Sequence, residues 1–457
     1  MKINRRSFLK SALTLGGAAV AFPTIIPSSV LGRNGKVAPS NRVCMAFIGT
    51  GNQGTGDMSN FLHDSRVQVV AVCDVNRESD GYWDNTVRGR EPARRMVDGF
   101  YSSRKDSGNY KGCAVYADFR PMISRPDIDA VEVATPDHWH ALLAVECMKA
   151  GKAVYNQKPL SLTVWEGRQM ADAAKKYGAV FQCGSQQRSE RNFRLACEFV
   201  LNGGIGKLHT VKCGLPGGWA DYGKTAQFKT PTEVPDGLNY DFWLGPAPVA
   251  PYCKGRVGVN FRWIRDYSGG QITDWGGHHP DIAQWGMGTQ YTGPVEVLNA
   301  KGSCPKDELY NTFTEYYCEY MYDNGVRMII SDKLEGGVTF EGTDGTVWVN
   351  RGGLRTTDKA GNKIDLYELE EDEFKVKLYQ SDNHYRNFID CIYTGNECIA
   401  PAEVAHRSIT LSHLGNIAMT LGASKLKWDP VKEQFIGNDD ANKMLKRQYR
   451  EPWVLEV

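Results

Sequence analysis

Three residues in this chain have side chains suited to work on a hydroxyl group: an ammonium, a carboxylate and an imidazole. Lys158 follows a short apolar run and precedes Pro159. A strand end of that kind is where ligands sit in parallel sheets, and an ammonium there can bond a hydroxyl and stabilise developing alkoxide charge. Taken alone, it also reads as a loop lysine. Asp274 and His278 stand four residues apart. On a helix start that spacing puts both on one face, where the carboxylate can orient an imidazole that takes a hydroxyl proton near neutral pH. A helix N-cap beside a solvent histidine fits the same two residues. Just ahead of them, Asn260, Arg262, Trp263, Asp266 and Tyr267 alternate polar and aromatic groups. That pattern suits polyol recognition, and it also fits an ordinary packed loop. His279 and Asp281 are placed as further substrate contacts. Gln186, Gln187 and Arg188 are placed near either the cofactor or the substrate.

These groups need a scaffold, and the chain supplies one. Val43–Ile48 is an apolar run that enters Gly49-Thr50-Gly51-Asn52-Gln53-Gly54. Gly49 allows a tight turn, Gly51 lets backbone approach a pyrophosphate, and Gly54 lets the next helix pack closely with its N-terminus toward the phosphates. A second apolar run, Val67–Cys73, ends at Asp74, twenty positions after Gly54. An acid at that distance accepts hydrogen bonds from adenosine ribose hydroxyls and disfavours a 2′-phosphate, so NAD is expected over NADP. Arg77, three residues on, argues partly the other way.

The pattern around these motifs predicts an α/β fold. Val43–Ile48, Val67–Cys73, Ala114–Tyr116, Ala130–Ala134, Ala153–Tyr155 and Val180–Cys183 read as strands. Helical patterns such as Ala141–Ala150 and Val164–Tyr177 lie between most of them, as in a doubly wound parallel Rossmann sheet. After residue 205 the pattern turns β-rich at Leu208–Leu215, Val295–Lys301, Phe313–Tyr322 and Val326–Ser331. Hairpin signals stand at Asp323-Asn324-Gly325 and Asp344-Gly345. This predicts a second, α+β domain with an open, mostly antiparallel sheet. Residues 217–265 read as a long ordered loop near the site. His384–Tyr393 and Val404–Leu421 return to helices. The expected divisions are 1–35 for export signal and linker, 40–185 for the NAD-binding domain, 186–383 for the substrate and oligomerisation domain, and 384–457 for helices packing back on the Rossmann sheet.

At 457 residues the chain is long enough for two full cores, and its formal net charge of +1 gives no reason to expect a nucleic-acid or anionic-membrane partner. The twelve cysteines contain no Cys-x-x-Cys pair and read as buried and reduced. His138, His140, His278 and His279 lack compact ligand spacing, so no metal site is expected. The N-terminus carries Arg5-Arg6 before a weakly apolar stretch, Ser11–Ile26, broken by Gly16, Gly17 and Pro23. This resembles a twin-arginine export signal, which carries proteins across already folded. A periplasmic or otherwise exported location is expected, with no membrane anchor after processing.

Four motifs together resemble the Gfo/Idh/MocA oxidoreductase family, whose members include inositol dehydrogenases and glucose–fructose oxidoreductase. They are the glycine loop with Asp74; Thr135-Pro136-Asp137-His138-Trp139-His140, similar to the family's Thr-Pro-x-x-x-His; Gln157-Lys158-Pro159, where the family has Glu-Lys-Pro; and Gly269–Asp281, which fits Gly-Gly-x-x-x-Asp-x-Gly-x-His-x-x-Asp. The resemblance implies that Thr135, Pro136, His140, Gln157 and Lys158 join the glycine loop around the nucleotide. It also implies that Lys158, Asp274 and His278 are catalytic, with Arg262, Asp266, Tyr267 and His279 toward a carbohydrate. Gln157 departs from the family's glutamate. Three activities remain open at this level: glycoside or sugar dehydrogenation, preferably at the 3-hydroxyl; redox-neutral NAD-dependent glycoside cleavage through a transient 3-keto sugar; and non-catalytic carbohydrate binding. A homodimer or homotetramer is expected.

Overall fold

The protein is represented by a computed structural model that describes residues 41–104, 110, 112–369 and 374–457. The export-signal expectation lies outside the described residues. The first sheet is built from β1 (Val43–Ile48), β2 (Val67–Cys73), β3 (Ala114–Tyr116), β4 (Ala130–Val133), β5 (Ala153–Asn156) and β6 (Phe181–Cys183). All its strand pairs are parallel, in the order β3-β2-β1-β4-β5-β6. Between them run α1 (Asn52–Leu62), α2 (Arg90–Ser102), α3 (Phe119–Ile123), α4 (Asp137–Lys149) and α5 (Val164–Tyr177). Met45, Phe47, Val69, Val72 and Val131 are fully enclosed, because helices cover both faces of the sheet.

Two glycines make the first turn possible. Gly49 has φ +87°, and a Cβ there would lie 2.6 Å from the Ala134 carbonyl oxygen. A Cβ on Gly54 would lie 2.0 Å from the Gly49 carbonyl oxygen, so α1 can press against β1 only without a side chain at that position.

The rest of the chain adds α6 (Arg191–Leu201), β7 (Leu208–Gly214), α7 (Tyr240–Leu244), α8 (Gln271–Asp274), α9 (His279–Gly286) and the strands β8 (Glu296–Ser303), β9 (Glu315–Met321), β10 (Arg327–Ser331), β11 (Gly337–Gly342), β12 (Gly345–Asn350), β13 (Gly353–Asp358) and β14 (Lys363–Ile364). After these come α10 (His384–Thr394), α11 (Ala402–Leu421), β15 (Lys425–Asp429), β16 (Gln434–Phe435) and α12 (Asp439–Lys443). The second sheet runs β14-β13-β12-β11-β7-β10-β9-β8-β15-β16, antiparallel except where β7 meets β10. The Asp323-Asn324-Gly325 hairpin forms between β9 and β10, closed by Tyr322 N to Val326 O at 3.0 Å, with Gly325 at φ +82°. The chain's end is not purely helical as expected. β15 pairs with β8, Lys425 opposite Leu298, and extends the second sheet.

Two segments bridge the halves. The stretch after β2, Asn76–Gly89, is a loop that leads into α2. It is pinned to residues 223–259 by Arg77 N to Gly237 O at 2.8 Å and Val259 N to Gly81 O at 3.2 Å. Farther on, Arg447 Nε donates to Glu166 Oε1 at 2.7 Å and fastens the C-terminal tail to α5. Residues 43–457 thereby pack as one unit.

Candidate active site

A cavity of about 530 Å³ opens along the C-terminal ends of β1, β2, β4 and β5, and residues 222–275 wall its other side. That size falls within the range of small-ligand sites. At one end lie Asp74, Val75, Asn76, Phe119 and Leu143; in the middle are Gly49, Gly51, Asn52 and Gln53; at the other end are Thr135, Pro136, Gln157 and Lys158.

The Asp74 carboxylate accepts from Thr50 N at 2.8 Å and Thr50 Oγ1 at 3.1 Å, while its other oxygen accepts from Asn76 N at 2.8 Å. Burial raises its pKa against those donors. Asp74 therefore fixes the glycine loop as well as facing the cavity, and Thr50 is wholly buried beneath it. No side chain caps the start of α1, so its first N–H groups are open to an anion. Tyr82 of the Asn76–Gly89 loop lies over Gly51, and Trp83 N donates to Asn52 Oδ1 at 3.1 Å. This cradle fits a dinucleotide: glycines at the two close approaches, an open helix N-terminus, and a carboxylate at the ribose end.

At the far end, Lys158 Nζ donates to Asp274 Oδ1 at 2.9 Å and to the Asp274 carbonyl at 3.2 Å, and Arg262 Nε reaches the same Oδ1 at 3.2 Å. Burial alone would push the Asp274 pKa up, but Lys158 and Arg262 outweigh it and hold the carboxylate well below its ordinary range. Trp83, Tyr222, Phe261, Trp263 and Trp275 wall this end. Aromatic faces around charged, hydrogen-bonding groups match the needs of a sugar, whose C–H faces stack while its hydroxyls bond.

Several expected residues sit elsewhere. Asp274 and His278 do not share a helix face: α8 stops at Asp274, and His278 (φ −119°, ψ −80°) begins a separate helix that carries Pro280 in its first turn. His278 is buried behind the lining, and its Nδ1 has no hydrogen-bond partner among the described residues. Burial, then the charges of Lys158 and Arg351, push its pKa well down, so the ring is neutral. His279 is buried against Trp275 at 5.3 Å, with a pKa lowered to about 3, chiefly by burial. Asp266 is exposed and Tyr267 fully buried, because the turn closed by Tyr267 N to Ile264 O points one side chain out and the next inward. Tyr267 packs on Trp243 and His138, and its hydroxyl accepts from Arg256 at 3.2 Å. Neither residue lines the cavity; of the residues expected around a substrate, Arg262 and Trp263 do.

His140 also stays behind the lining. Its ring nitrogens face Pro159 O at 2.7 Å and Thr135 O at 2.8 Å. Burial outweighs those carbonyls and lowers its pKa to about 4, so the ring is neutral and donates to one of the two carbonyls while its other nitrogen only lies against the second. Gln157 lines the cavity as expected and donates through Nε2 to Asp57 Oδ2, a residue not singled out from the sequence. Asp137 was also missed as a site group. It lies in the motif around His140 yet faces the cavity. Among the described residues, no group of three or more histidine, cysteine or acidic side chains could hold a metal ion.

Residues 43–185 match the NAD-binding Rossmann fold of the Gfo/Idh/MocA oxidoreductases, and residues 210–455 match that family's C-terminal alpha/beta domain. The chain belongs to the Gfo/Idh/MocA oxidoreductase family. Its first sheet is an NAD-binding Rossmann domain, as expected. Among curated relatives, an alpha-N-acetylgalactosaminidase of Shewanella oneidensis is 31% identical over 186 residues, which is 38% of this chain and 37% of the relative. The chain thus spans little more than a third of that relative's length. The WlbA dehydrogenase of Bordetella pertussis, solved with NADH and UDP-GlcNAcA, superposes with TM-score 0.58 at 16% identity, covering 85% of this chain and 99% of its own. A levoglucosan dehydrogenase solved with NADH and levoglucosan superposes with TM-score 0.58 at 17% identity, covering 84% and 99%. At such identities the two structures share the fold.

Proposed function

We propose that the protein is an exported NAD-dependent dehydrogenase of a sugar or glycoside, with the 3-hydroxyl of a glucoside as preferred target. The observation that carries this reading is the Lys158–Asp274 contact at the aromatic end of the cavity. Lys158 spends two donors on Asp274 and keeps a third for a substrate oxygen. Asp274 and Arg262 fix its direction. An ammonium so placed polarises the hydroxyl and stabilises alkoxide character as the hydride leaves. NAD, held by Gly49–Gly54, Asp74, Thr135, Pro136 and Gln157, supplies the hydride acceptor. His278 is assigned as the acceptor of the hydroxyl proton, which Lys158, a donor to the same oxygen, does not carry; Gly277, its neighbour, backs onto the Lys158 Cβ. If the purified protein shows no change in nicotinamide absorbance with any member of a glycoside and polyol panel, the reading fails.

Redox-neutral glycoside cleavage at the same site is the second reading, favoured by the likeness to an alpha-N-acetylgalactosaminidase. A released keto-sugar supports dehydrogenation; a plain sugar with the nucleotide returned to its oxidised form supports cleavage.

Two further assignments belong to this proposal. Export would take the protein away from a free NAD pool, so the nucleotide stays bound and is recycled in place. Its cover is the Asn76–Gly89 loop, with Tyr82 over Gly51. Dialysis that strips the nucleotide within hours would refute this. The chain is also assigned a homodimer or homotetramer through its open ten-stranded sheet, which light scattering in solution checks.

A further inference from the structure

Two aromatic rings at the substrate end of the cavity differ from the others. Phe261 and Trp263 are 6% and 1% exposed, packed into the protein behind the surface that they offer. Trp83 and Tyr222 line the same cavity, yet each is 44% exposed. Single exposed aromatics are ordinary on a protein surface; a pair at the mouth of a ligand cavity marks a contact site. They come from different loops that meet beside them. A Cβ on Gly223 would lie 2.4 Å from the Gly81 carbonyl oxygen, so the backbones touch next to Tyr222 and close to Trp83. Both loops are tied down. Trp83 N donates to Asn52 Oδ1 at 3.1 Å, and Asp221 accepts from Thr225 N at 2.9 Å, Ala226 N at 3.1 Å and Asn260 Nδ2 at 2.7 Å. The rings are thus held at the rim without being buried.

The rim adjoins the Lys158–Asp274 contact. Arg262 Nε reaches Asp274 Oδ1 at 3.2 Å, and the carbon of the same guanidinium lies 5.8 Å from the centre of the Trp83 ring. Tyr222 tilts against Trp263, the next residue, with ring centres 6.4 Å apart. A sugar ring bonded to Lys158 therefore has these two faces as neighbours on its open side. The carboxylates that flank them in sequence, which could bond further hydroxyls, are already paired within the protein: Asp80 with Lys254, Asp84 with Thr86 and Arg88, and Asp221 with the groups just named. The rim offers flat faces rather than the free carboxylates that a second sugar ring would use.

We propose that Trp83 and Tyr222 form a subsite for the aglycone of a glycoside, and that this aglycone is an aromatic ring. This rests on the carbohydrate reading of the same cavity. A flat ring covers both exposed faces, and each aromatic pair adds to the area it buries. A free sugar or an alkyl glycoside leaves both faces wet. The two residues thereby select aryl glycosides, and they do so at the rim, apart from the hydroxyl that Lys158 holds.

The test titrates the purified protein, with its nucleotide, calorimetrically with methyl β-D-glucopyranoside, phenyl β-D-glucopyranoside and methyl β-cellobioside. The wild type is expected to bind the phenyl glucoside about tenfold more tightly than the methyl glucoside. In the double variant Trp83→Ala, Tyr222→Ala that ratio should fall to about one. Trp83→Phe, which keeps a ring, should retain most of it. Nucleotide released on denaturation should match the wild type in both variants. The same ratio in the wild type and the double variant, or no binding of either glucoside, would overturn the proposal. So would an equal loss for both glucosides, which would put the rings against the first sugar, or loss of nucleotide, which would make them a cofactor cover. A larger gain for the cellobioside than for the phenyl glucoside would also overturn it, in favour of a second sugar. Ring-dependent binding of the phenyl glucoside without any nicotinamide absorbance change would refute the dehydrogenase reading and leave this one standing. An absorbance change with no ring-dependent preference would do the reverse.

Discussion

The Lys158 ammonium and the Asp274 carboxylate meet at 2.9 Å across 116 residues of sequence. One lies two residues beyond a strand of the Rossmann sheet; the other ends a four-residue helix that follows the long loop of the second half. Their contact forms only when both halves are in place, so the aromatic end of the cavity exists only in the assembled chain.

Removing the ammonium should separate chemistry from nucleotide binding. Lys158→Met keeps the side-chain length and leaves Asp274 paired with Arg262. Turnover of a glycoside should fall on the order of a hundred- to a thousandfold, the usual loss when one donor to a developing oxyanion is removed. Nucleotide released on denaturation should stay at the wild-type amount. Loss of nucleotide with activity would place Lys158 in cofactor retention instead.

The glycine loop makes a prediction of the opposite kind. Gly54→Ala forces a Cβ to within 2.0 Å of the Gly49 carbonyl oxygen, a contact that only backbone movement relieves. The variant should lose bound nucleotide first, seen as a lower absorbance ratio at 260 over 280 nm, and should melt earlier. Gly56→Ala, where nothing lies within 4 Å of the added Cβ, is the control and should retain both properties.

Local signals carried the first sheet. Val43–Ile48, the glycine turn and Asp74 are set by apolar runs and backbone sterics, which neighbouring residues decide. Lys158 and Asp274 were legible as types, but their direct contact was not, because pairing across 116 residues leaves no periodic trace. The Asp274–His278 spacing pointed to one helix face, and Gly276-Gly277 followed by Pro280 broke that helix. Tyr267 illustrates the commonest loss: an aromatic beside polar residues fits a sugar site and a core equally, and here Trp243 and His138 claimed it. Asp137 was hidden inside a motif whose histidine drew the attention.

An ion cluster outside the cavity lining should add pH-dependent stability to the fold. Arg168 on α5 binds Glu403 of α11 through NH1 and NH2, at 2.6 and 2.9 Å, and Glu433 through Nε and NH2, at 3.0 and 2.7 Å. Burial would raise both carboxyl pKa values. Arg168, with Arg407 at Glu403 and His406 at Glu433, instead lowers each to about 2. A depressed folded-state pKa adds stability above the unfolded value, and that stability is lost as pH falls toward the folded one. Arg168→Met should therefore cost about 2 kcal/mol at pH 7, discounted for partial exposure. The deficit should shrink between about pH 4.3 and about pH 2. Melting temperatures of both proteins across that interval check it; a constant deficit would mean that the cost is packing rather than charge.

Gln157 departs from the Glu-Lys-Pro motif that its segment resembles, and its neighbours favour an amide there. Its Nε2 donates to Asp57 Oδ2, while Asp57 Oδ1 also accepts from Gln53 Nε2 at 2.8 Å and Tyr385 hydroxyl at 2.7 Å. Glu132, with no exposed surface, lies near the same carboxylate, and burial together with the Asp57 charge raises its pKa well above the ordinary carboxyl range. The side chains bonded to Asp57, those of Gln53, Gln157 and Tyr385, are all donors. Gln157→Glu would replace one donor with a third carboxyl, which must ionise beside Asp57 or hold a proton. Its raised folded-state pKa makes the penalty absent at low pH and growing as pH rises through the unfolded value. The variant should be nearly as stable as wild type near pH 4 and about 2–4 kcal/mol less stable at pH 8. Asp57→Asn restores a donor on the other side of the contact, so combining it with Gln157→Glu should recover more than about 1 kcal/mol relative to the sum of the single changes. Strict additivity in a double-mutant cycle would show that the two side chains do not depend on each other, and the glutamine would then need another cause.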